Sequence, residues 1–284
     1  MDMKNALPEA DVYVYDNNSE DNTAAEAENA GAIVRMEPYQ GKGCVVRSMF
    51  RDIDADVYLM IDGDGTYPAD RAMDIIAPVL SGESDMVVGD RLSNGSYYKE
   101  NRRSFHNFGN DMFTKFINRF FNARLSDIMS GYRAFSKRFV KSFPVISNGF
   151  QLETEMTIFA LNYNFHIKEI PVRFTERPQG SFSKLNTVSD GWKVLMCIMN
   201  MYRHYKPLQF FALISLFFIV AGIAIGVPTI IEFILTHYVT RVPSAILASG
   251  LVTVALLLFV CGLILDAAGK NSRLEVELRI KEIN

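Results

Sequence analysis

The 284-residue sequence has little of several features that would identify a protein class at once. Its three cysteines, Cys44, Cys197 and Cys261, are too widely spaced for a metal site and suit a reducing compartment. The formal net charge of −3 is too close to zero to indicate a nucleic-acid partner. The residues after Met1 are polar, so the sequence predicts no signal peptide there.

Charged residues are also missing from two long segments in the last third of the sequence. Leu208–Ile231 has 24 residues and Ala245–Leu265 has 21, and neither segment contains a charge. As helices rising about 1.5 Å per residue, they would span roughly 36 and 31 Å, enough for a hydrocarbon core of about 30 Å. We therefore predict two transmembrane helices within residues 207–266. Two buried helices of a soluble core are the alternative.

The distribution of basic residues predicts how this hairpin is oriented. The two apolar segments are joined by Glu232–Ser244, which carries Arg241 as its only basic residue. Four basic residues flank the other ends of the segments: Arg203, Lys206, Lys270 and Arg273. The positive-inside rule then predicts a multi-pass protein of the cell membrane, with the large N-terminal part and the tail, residues 267–284, in the cytoplasm.

The N-terminal part alternates short apolar runs with helical patterns. Strands are predicted in Asp11–Ser19, Gly31–Glu37, Asp56–Asp62 and Asp85–Arg91, and helices near Thr23–Ala30, Gly43–Asp52, Ala69–Ser81 and Gln151–Tyr163. Strict alternation of strands and helices favours an α/β domain with a parallel sheet covered on both faces. Ligands of such sheets bind at the carboxyl ends of the strands. Polar groups follow three of these ends, at Asp16, at Asp62–Asp64 and at Asp90–Arg91.

The pair Asp62 and Asp64, in D-G-D-G, is the most informative of these groups. An EF-hand loop starting at Asp62 would need glycine at its sixth and glutamate at its twelfth position, where Tyr67 and Met73 stand. Two carboxylates at the end of a buried strand suit Mg²⁺ or Mn²⁺ completed by phosphate oxygens of a ligand. A solvated turn is the other interpretation.

Seven motifs, in this order, resemble glycosyltransferase family 2: VYVYDNNSEDNT, GKGCVVRSMF, DVYLMIDGDGTYPAD, DMVVGDR, DIMSGYRAFSKRFVKSFP, GFQLETEM and ERPQGSFSKL. The resemblance covers Asp11 to Leu185 and is greatest to the branch with dolichyl-phosphate mannose synthase and bactoprenol glucosyltransferases. It implies a GT-A fold (Rossmann-like, mostly parallel sheet) for residues 1–186, a nucleotide-sugar donor, a divalent metal and inversion at the sugar C1.

The resemblance also implies roles for single residues on the donor side. Asp16 would contact the donor nucleoside, and Lys42 would place a positive charge near the donor. Asp62 would reach ribose or metal, and Asp64 would coordinate metal and diphosphate. Arg91 would meet the donor phosphate or sugar, or else form a salt bridge at its strand end.

The acceptor side is predicted from a missing motif and a basic loop. The Q-x-x-R-W signature of processive family members is absent from the sequence, since the only tryptophan is Trp192. Non-processive transfer is therefore favoured. Guanidinium, ammonium and hydroxyl groups suit a phosphate, which makes a candidate acceptor-phosphate set of Ser130, Arg133, Arg177, Ser183 and Lys184. A basic loop resting on acidic lipid is the alternative.

A basic amphipathic helix is predicted directly before the first apolar segment. Residues 168–206 contain seven basic and three acidic residues. Within Val188–Tyr205, one helical face carries Trp192, Leu195, Met199 and Tyr202. Such a helix, residues 187–206, is expected to lie in the membrane interface, where a lipid acceptor can reach the active site sideways.

These observations predict transfer of a sugar from a UDP- or GDP-sugar to a polyprenyl phosphate. A phosphate monoester with a second pKa of about 6 is already anionic at neutral pH and needs no general base. The alternatives are transfer to another lipid or to a glycan hydroxyl, and a non-catalytic membrane scaffold. Roles for Glu153 and Glu155, and the possibility of a homo-oligomer, stay open.

One further expectation concerns the start of the sheet. In the family, an apolar strand ending in a P-x-x-N-E type motif and a helix precede the strand that VYVYD matches. Here seven residues precede Pro8. The sequence is therefore expected to lack the first strand and, as given, to be weakly active.

Overall fold

The computed structural model describes residues 2–93, 95, 104–149, 151–175 and 187–283. Its contacts divide the chain into two compact units, one of residues 1–198 with 277–284, and one of residues 199–276. The first unit contains the α/β domain. Most of the second unit consists of two apolar helices.

The α/β domain follows the predicted alternation through its first half. Its elements are α1 (Asp2–Ala6), β1 (Tyr13–Asp16), α2 (Thr23–Asn29), β2 (Ile33–Met36), α3 (Lys42–Asp52), β3 (Val57–Met60), a 3₁₀ turn (Ala69–Arg71), α4 (Ala72–Leu80) and β4 (Met86–Asp90). All four predicted strands and the three predicted helices of this region are present, with ends displaced by a few residues.

The second half contributes elements that the sequence did not predict. They are α5 (Ser104–Phe121), β5 (Arg133–Ser136), α6 (Lys137–Ser142) and β6 (Ile167–Pro171). The predicted helix in Gln151–Tyr163 is α7 (Leu152–Asn162), and α8 (Thr187–Tyr205) precedes the apolar helices.

The strands form two sheets in the described part of the chain. β1 and β2 pair in parallel, whereas the second sheet has the order β3-β5-β4-β6. β5 lies antiparallel between β3 and β4, and β6 is parallel to β4. The alternation favoured a parallel sheet and did not reveal that β5 is inserted antiparallel between β3 and β4. β3 and β4 still run in the same direction, and their carboxyl ends share one edge.

Helices cover both faces of the second sheet and fix its position. On one face, α4 contributes Ile75 and Val79 to a buried cluster with Val87, Tyr132 and Ala134. On the other face, aromatic rings from α3, β5, α6 and α7 pack against each other: Phe50, Phe135, Phe139, Phe143 and Phe159. Burial on both faces makes this sheet a rigid support for the loops at its edge.

α8 packs one face against the protein and leaves another exposed. Val194, Ile198 and Tyr202 are buried, while Trp192 is 61% exposed. The residues at i, i+4 and i+8 therefore form the packed face. The exposed Trp192 and Met196 lie beside it.

The second unit contains α9 (Pro207–Thr236) and most of α10 (Val242–Ile283). Both helices are long and apolar enough to cross a membrane, by length and composition. They contact each other where small residues permit a close approach: Ser215 Oγ donates to the carbonyl of Ala255 at 2.8 Å, and Gly222 lies against Ala248 and Val252. α10 continues well beyond the predicted apolar segment and includes the charged residues after Leu265.

Candidate active site

The D-G-D-G loop lies at the shared edge, directly after β3. Gly65 has φ of +71°, so the chain turns sharply after Asp64. The Asp64 Oδ1 atom accepts hydrogen bonds from the backbone N–H of Thr66 at 3.2 Å and from its hydroxyl at 2.6 Å. Thr66 itself is buried. The turn therefore orients the Asp64 carboxylate before any ligand arrives.

Lys42 forms ion pairs with Asp62 of this loop and with Glu153 of α7. Its Nζ lies 2.5 Å from Oδ1 of Asp62 and 2.5 Å from Oε1 of Glu153, which is buried on the first turn of α7. Burial lowers the pKa of Lys42, but the two carboxylates outweigh that effect and raise the pKa above its ordinary value. Lys42 therefore remains positively charged beside the predicted metal ligand.

The backbone around Lys42 is fixed by glycines that permit close packing. A Cβ atom on Gly43 would overlap the carbonyl of Ser147, and one on Gly41, whose φ is +131°, would overlap the carbonyl of Asn148. The N–H of Gly43 donates to the carbonyl of Asn148 at 3.1 Å. The start of α3 and the chain at 147–148 therefore fit together only with glycine at these two positions.

Two charged side chains hold the segment 145–148 in place. Arg47 of α3 donates to the carbonyls of Val145 at 2.9 Å and Ile146 at 3.2 Å. The Glu155 carboxylate accepts the N–H groups of Ile146 and Ser147 at 3.0 and 2.9 Å. This geometry settles the open role of Glu155 as a support for the loop that packs against the start of α3.

Asp16 stands at the end of β1, and its neighbour Asn17 connects that end to Gly41, the residue before Lys42. One carboxylate oxygen of Asp16 accepts the N–H of Ser19 at 3.3 Å, while the other is buried without a hydrogen-bond partner. The Asn17 side chain accepts the N–H of Gly41 at 2.7 Å and donates to the carbonyls of Glu37 and Tyr39. A buried acceptor without a donor is expected where a ligand supplies the missing N–H or O–H.

Arg91 is engaged within the domain. Its guanidinium forms two bonds with the buried carboxylate of Asp127, at 2.7 and 2.9 Å, and its backbone N–H donates to the same group. The positive charge of Arg91 holds the pKa of Asp127 below its ordinary value, although burial acts in the opposite direction. The salt-bridge alternative is therefore realised. A contact between Arg91 and the nucleotide-sugar donor stays a prediction.

The acceptor residues Ser130 and Arg133 lie inside the domain and not at its surface. Arg133 is fully buried, and its guanidinium donates to the carbonyls of Ser130 and Ile128 and to the hydroxyl of Thr157, at 2.7–2.9 Å. Burial lowers the pKa of Arg133, and the charge of Glu153 offsets part of this effect. The prediction that Arg133 binds the acceptor phosphate does not fit this placement, because its donors already serve the core. Arg177, Ser183 and Lys184 lie outside the described residues.

Gly131 packs against the Asp62 carboxylate and is hydrogen-bonded to Tyr67. A Cβ atom on Gly131 would overlap the Asp62 carboxylate, so only glycine permits this approach. The N–H of Gly131 donates to the Tyr67 hydroxyl at 2.9 Å. The S-G-Y segment therefore packs against the D-G-D-G loop. Sequence reasoning had read the hydroxyl of Ser130 as a phosphate ligand and missed this role of its neighbour.

A cavity of about 350 Å³ lies between the first sheet and α3. Its walls include Tyr15, Arg35, Tyr39, Arg47 and Arg51. None of the predicted donor residues lines it, and its charges are largely balanced within the wall, since Asp52 accepts from both Tyr15 and Arg51. The cavity is therefore separate from the carboxylate loop.

Asp62 and Asp64 are the candidate ligands for a divalent ion. Within the described residues, no group of three or more histidine, cysteine, aspartate or glutamate side chains could enclose a metal. Asp62 and Asp64 are hard oxygen ligands, one residue apart, with Asp64 already oriented by Thr66. They fit Mg²⁺ or Mn²⁺ held by one or two carboxylates and completed by phosphate oxygens, and not an ion enclosed by protein alone.

Comparison with known proteins agrees with this architecture. The family described as Glycosyl transferase family 2 matches residues 3–143. The Glycosyltransferase AglJ of Haloferax volcanii is 32% identical over 257 residues, covering 88% of this chain and 82% of the relative. The Undecaprenyl-phosphate mannosyltransferase of Micrococcus luteus is 24% identical, over 63% of this chain and 77% of its own. The chain belongs to glycosyltransferase family 2 and is a glycosyltransferase.

The fold is confirmed by solved structures. Glucosyl-3-phosphoglycerate synthase from Mycobacterium tuberculosis, crystallised with UDP, matches with a TM-score of 0.56 at 17% identity, covering 70% of this chain and 74% of that one. The same protein was also crystallised with Mn²⁺, UDP-glucose and phosphoglyceric acid, at a TM-score of 0.52. The α/β domain therefore has the GT-A fold, as the resemblance implied.

Proposed function

We propose that this enzyme transfers a sugar, with inversion and with Mg²⁺ or Mn²⁺, from a nucleotide sugar to a polyprenyl phosphate at the cytoplasmic face of a membrane. The observation that carries the proposal is the oriented carboxylate loop at the end of β3 in a chain whose C-terminal third contains two apolar helices of membrane length. Relatives named for undecaprenyl phosphate and polyprenol monophosphomannose support the same acceptor class.

Four residues are proposed to bind the parts of the nucleotide sugar: Asp16, Lys42, Asp62 and Asp64. The buried, unpartnered oxygen of Asp16 suits an N–H of the nucleoside. Asp62 and Asp64 hold the divalent ion, which supplies charge stabilisation for the departing nucleoside diphosphate. Lys42, whose raised pKa keeps it protonated, adds a positive charge beside the same group. Crystals of the mycobacterial fold neighbour with Mn²⁺ and UDP-glucose support this arrangement.

Transfer to a phosphate acceptor requires little from the protein beyond alignment of the acceptor with the nucleotide sugar. A polyprenyl phosphate already has an anionic oxygen at neutral pH, because the second pKa of a phosphate monoester is about 6. That oxygen can displace the nucleoside diphosphate directly, which inverts C1 and requires no nucleophilic side chain. Arg177, Ser183 and Lys184 are the proposed acceptor ligands. They would offset the repulsion between the two phosphate groups.

The apolar helices serve as the membrane anchor in this proposal. α9 and α10 pack through Ser215, Gly222 and Gly262, while most of their large apolar side chains face outward. Outward apolar surface on helices of this length is expected to face lipid. α8 is proposed to lie in the interface, with the exposed Trp192 as an anchor.

The function is tested by incubating membranes that contain the protein with labelled UDP- and GDP-sugars and polyprenyl phosphate. We expect one nucleotide sugar to give a labelled polyprenyl-phosphate sugar that is stable to alkaline phosphatase. Product on a lipid or glycan hydroxyl would instead support the second acceptor class. No product with any donor, from folded protein, would favour a membrane scaffold.

Substitutions in the basic loop separate acceptor from donor binding. Arg177→Ala and Lys184→Ala are each expected to raise the apparent KM for polyprenyl phosphate by about tenfold, because each removes one charge-assisted contact with phosphate. The KM for the nucleotide sugar should change less than twofold. Initial rates with each substrate varied in turn provide the measurement. A rise confined to the donor KM would assign these residues to the donor pocket.

The proposed orientation predicts different labelling on the two sides of the membrane. In a variant with the three native cysteines replaced, Thr240→Cys between the apolar helices should react with an impermeant maleimide in intact cells. Glu20→Cys, on an exposed position of the α/β domain, should react only after lysis. Labelling of Glu20→Cys in intact cells would place the catalytic domain outside.

A further inference from the structure

The ion pair of Lys42 with two carboxylates is asymmetric, and the asymmetry points to a function. The Lys42 ammonium lies 2.5 Å from one oxygen of each carboxylate. The Glu153 side chain is 5% exposed, whereas the Asp62 side chain is 32% exposed. Asp62 is therefore the outer partner and Glu153 is the inner one.

Desolvation makes the two contacts unequal in cost when they break. A buried carboxylate that loses its cation is left uncompensated, which is strongly destabilising. A carboxylate that is one-third exposed can instead exchange its partner for water or another cation. Glu153 therefore needs Lys42 at all times, while Asp62 can release it.

The surrounding backbone confines this exchange to the Lys42 side chain. Gly41 and Gly43, on either side of Lys42, pack against the backbone of Ser147 and Asn148 with no room for a Cβ atom. Asn17 also holds Gly41 by a hydrogen bond of 2.7 Å. The Cα atom of Lys42 is thus fixed, and only its flexible four-carbon stem can move.

From these contacts we infer that the Lys42 ammonium is the counter-ion of the D-G-D-G loop in the absence of metal. Glu153 is the positioning residue that pairs with this ammonium when it leaves Asp62. Without a divalent ion, the ammonium neutralises Asp62. When the ion binds Asp62 and Asp64, the ammonium withdraws to Glu153 and stays close enough to face the diphosphate. This inference rests on the proposed metal site and adds a role for Glu153, which the sequence left open.

The inference predicts coupling between Glu153 and Lys42 in Mn²⁺ binding. Glu153→Gln removes the charge that receives Lys42, so the ammonium stays on Asp62 and competes with the metal. We expect the Kd for Mn²⁺ alone, measured on purified full-length protein from the electron paramagnetic resonance signal of the free ion, to rise roughly fivefold. Lys42→Gln removes the competitor and should lower the Kd.

The double variant distinguishes this coupling from a direct effect of charge. If Glu153 acts through Lys42, the effect of Glu153→Gln in the Lys42→Gln background should fall below a third of its value in the native background. An equal rise in both backgrounds would overturn the inference, because it would show a direct effect of the Glu153 charge on the metal. An unchanged Kd in Glu153→Gln would overturn it as well.

The control is Glu26→Gln, which removes the same charge from an exposed position of α2. This variant should change the Kd less than twofold, because an exposed charge on another helix is screened by solvent. If Glu153→Gln does not fold, Glu153→Asp, which keeps the charge and withdraws it by one methylene, enters the same cycle. Mn²⁺ binding without coupling overturns this inference alone. No Mn²⁺ binding by the native protein, either alone or with added UDP or GDP to supply phosphate oxygens, overturns the metal-dependent function together with it.

Discussion

The Asp64→Asn enzyme is expected to retain less than about one thousandth of the native rate of sugar transfer, the size of loss seen when a charge-stabilising group is removed from an active site. Asparagine has the shape of aspartate and can still accept the two hydrogen bonds from Thr66. The fold should therefore be preserved while the metal loses a charged ligand. Asp62→Asn should be severely impaired for the same reason.

Two controls make the Asp64 result specific. Asp70→Asn changes an exposed aspartate after the same loop and should leave the rate within about twofold of native. EDTA should silence the native enzyme, and Mg²⁺ or Mn²⁺ should restore it. Initial rates with and without added metal give both measurements. Full activity in EDTA would remove the metal from the mechanism.

The Arg133→Met variant is expected to lose stability rather than affinity for the acceptor. Methionine fills much of the same volume but leaves the carbonyls of Ile128 and Ser130 without a donor in a fully buried site. We expect a loss of about 3–5 kcal/mol in the free energy of unfolding, and a fall in Tm of roughly 10 °C. Thermal unfolding in detergent, followed by intrinsic fluorescence, provides the measurement.

An exposed arginine serves as the matched control for Arg133. Arg124→Met removes the same charge at an exposed position in the loop after α5 and should leave Tm almost unchanged. The KM of the folded Arg133→Met enzyme for polyprenyl phosphate should equal the native value. A native Tm together with a raised acceptor KM would reinstate Arg133 as the phosphate ligand that the sequence predicted.

Local patterns in the sequence were sufficient to predict the strands that carry the proposed donor residues. The run Tyr58–Ile61 before D-G-D-G predicted both the strand and the partly exposed carboxylates after it, because a buried strand must end before charges can reach solvent. The three strand ends with polar residues were likewise correctly identified. Asp62 and Arg91 lie at one edge, since β3 and β4 run in the same direction.

The acceptor side was less predictable because burial cannot be read from residue type. The sequence D-I-M-S-G-Y-R looks like a phosphate loop, yet Arg133 points into the core and Gly131 makes room for Asp62. The sequence of α8 likewise did not show which of its residues pack against the protein, and the structure buries Val194 and Ile198.

The sequence by itself determined the family, the alternation of strands and helices, the position of the D-G-D-G loop after β3 and the two apolar helices, because each is encoded by neighbouring residues. Only the tertiary structure decided the antiparallel insertion of β5, the pairing of Lys42 with Glu153, and the burial of Arg133. The physical reason is separation along the chain. Lys42 and Glu153 are more than a hundred residues apart, and their contact exists only when α3 and α7 pack against the same sheet edge.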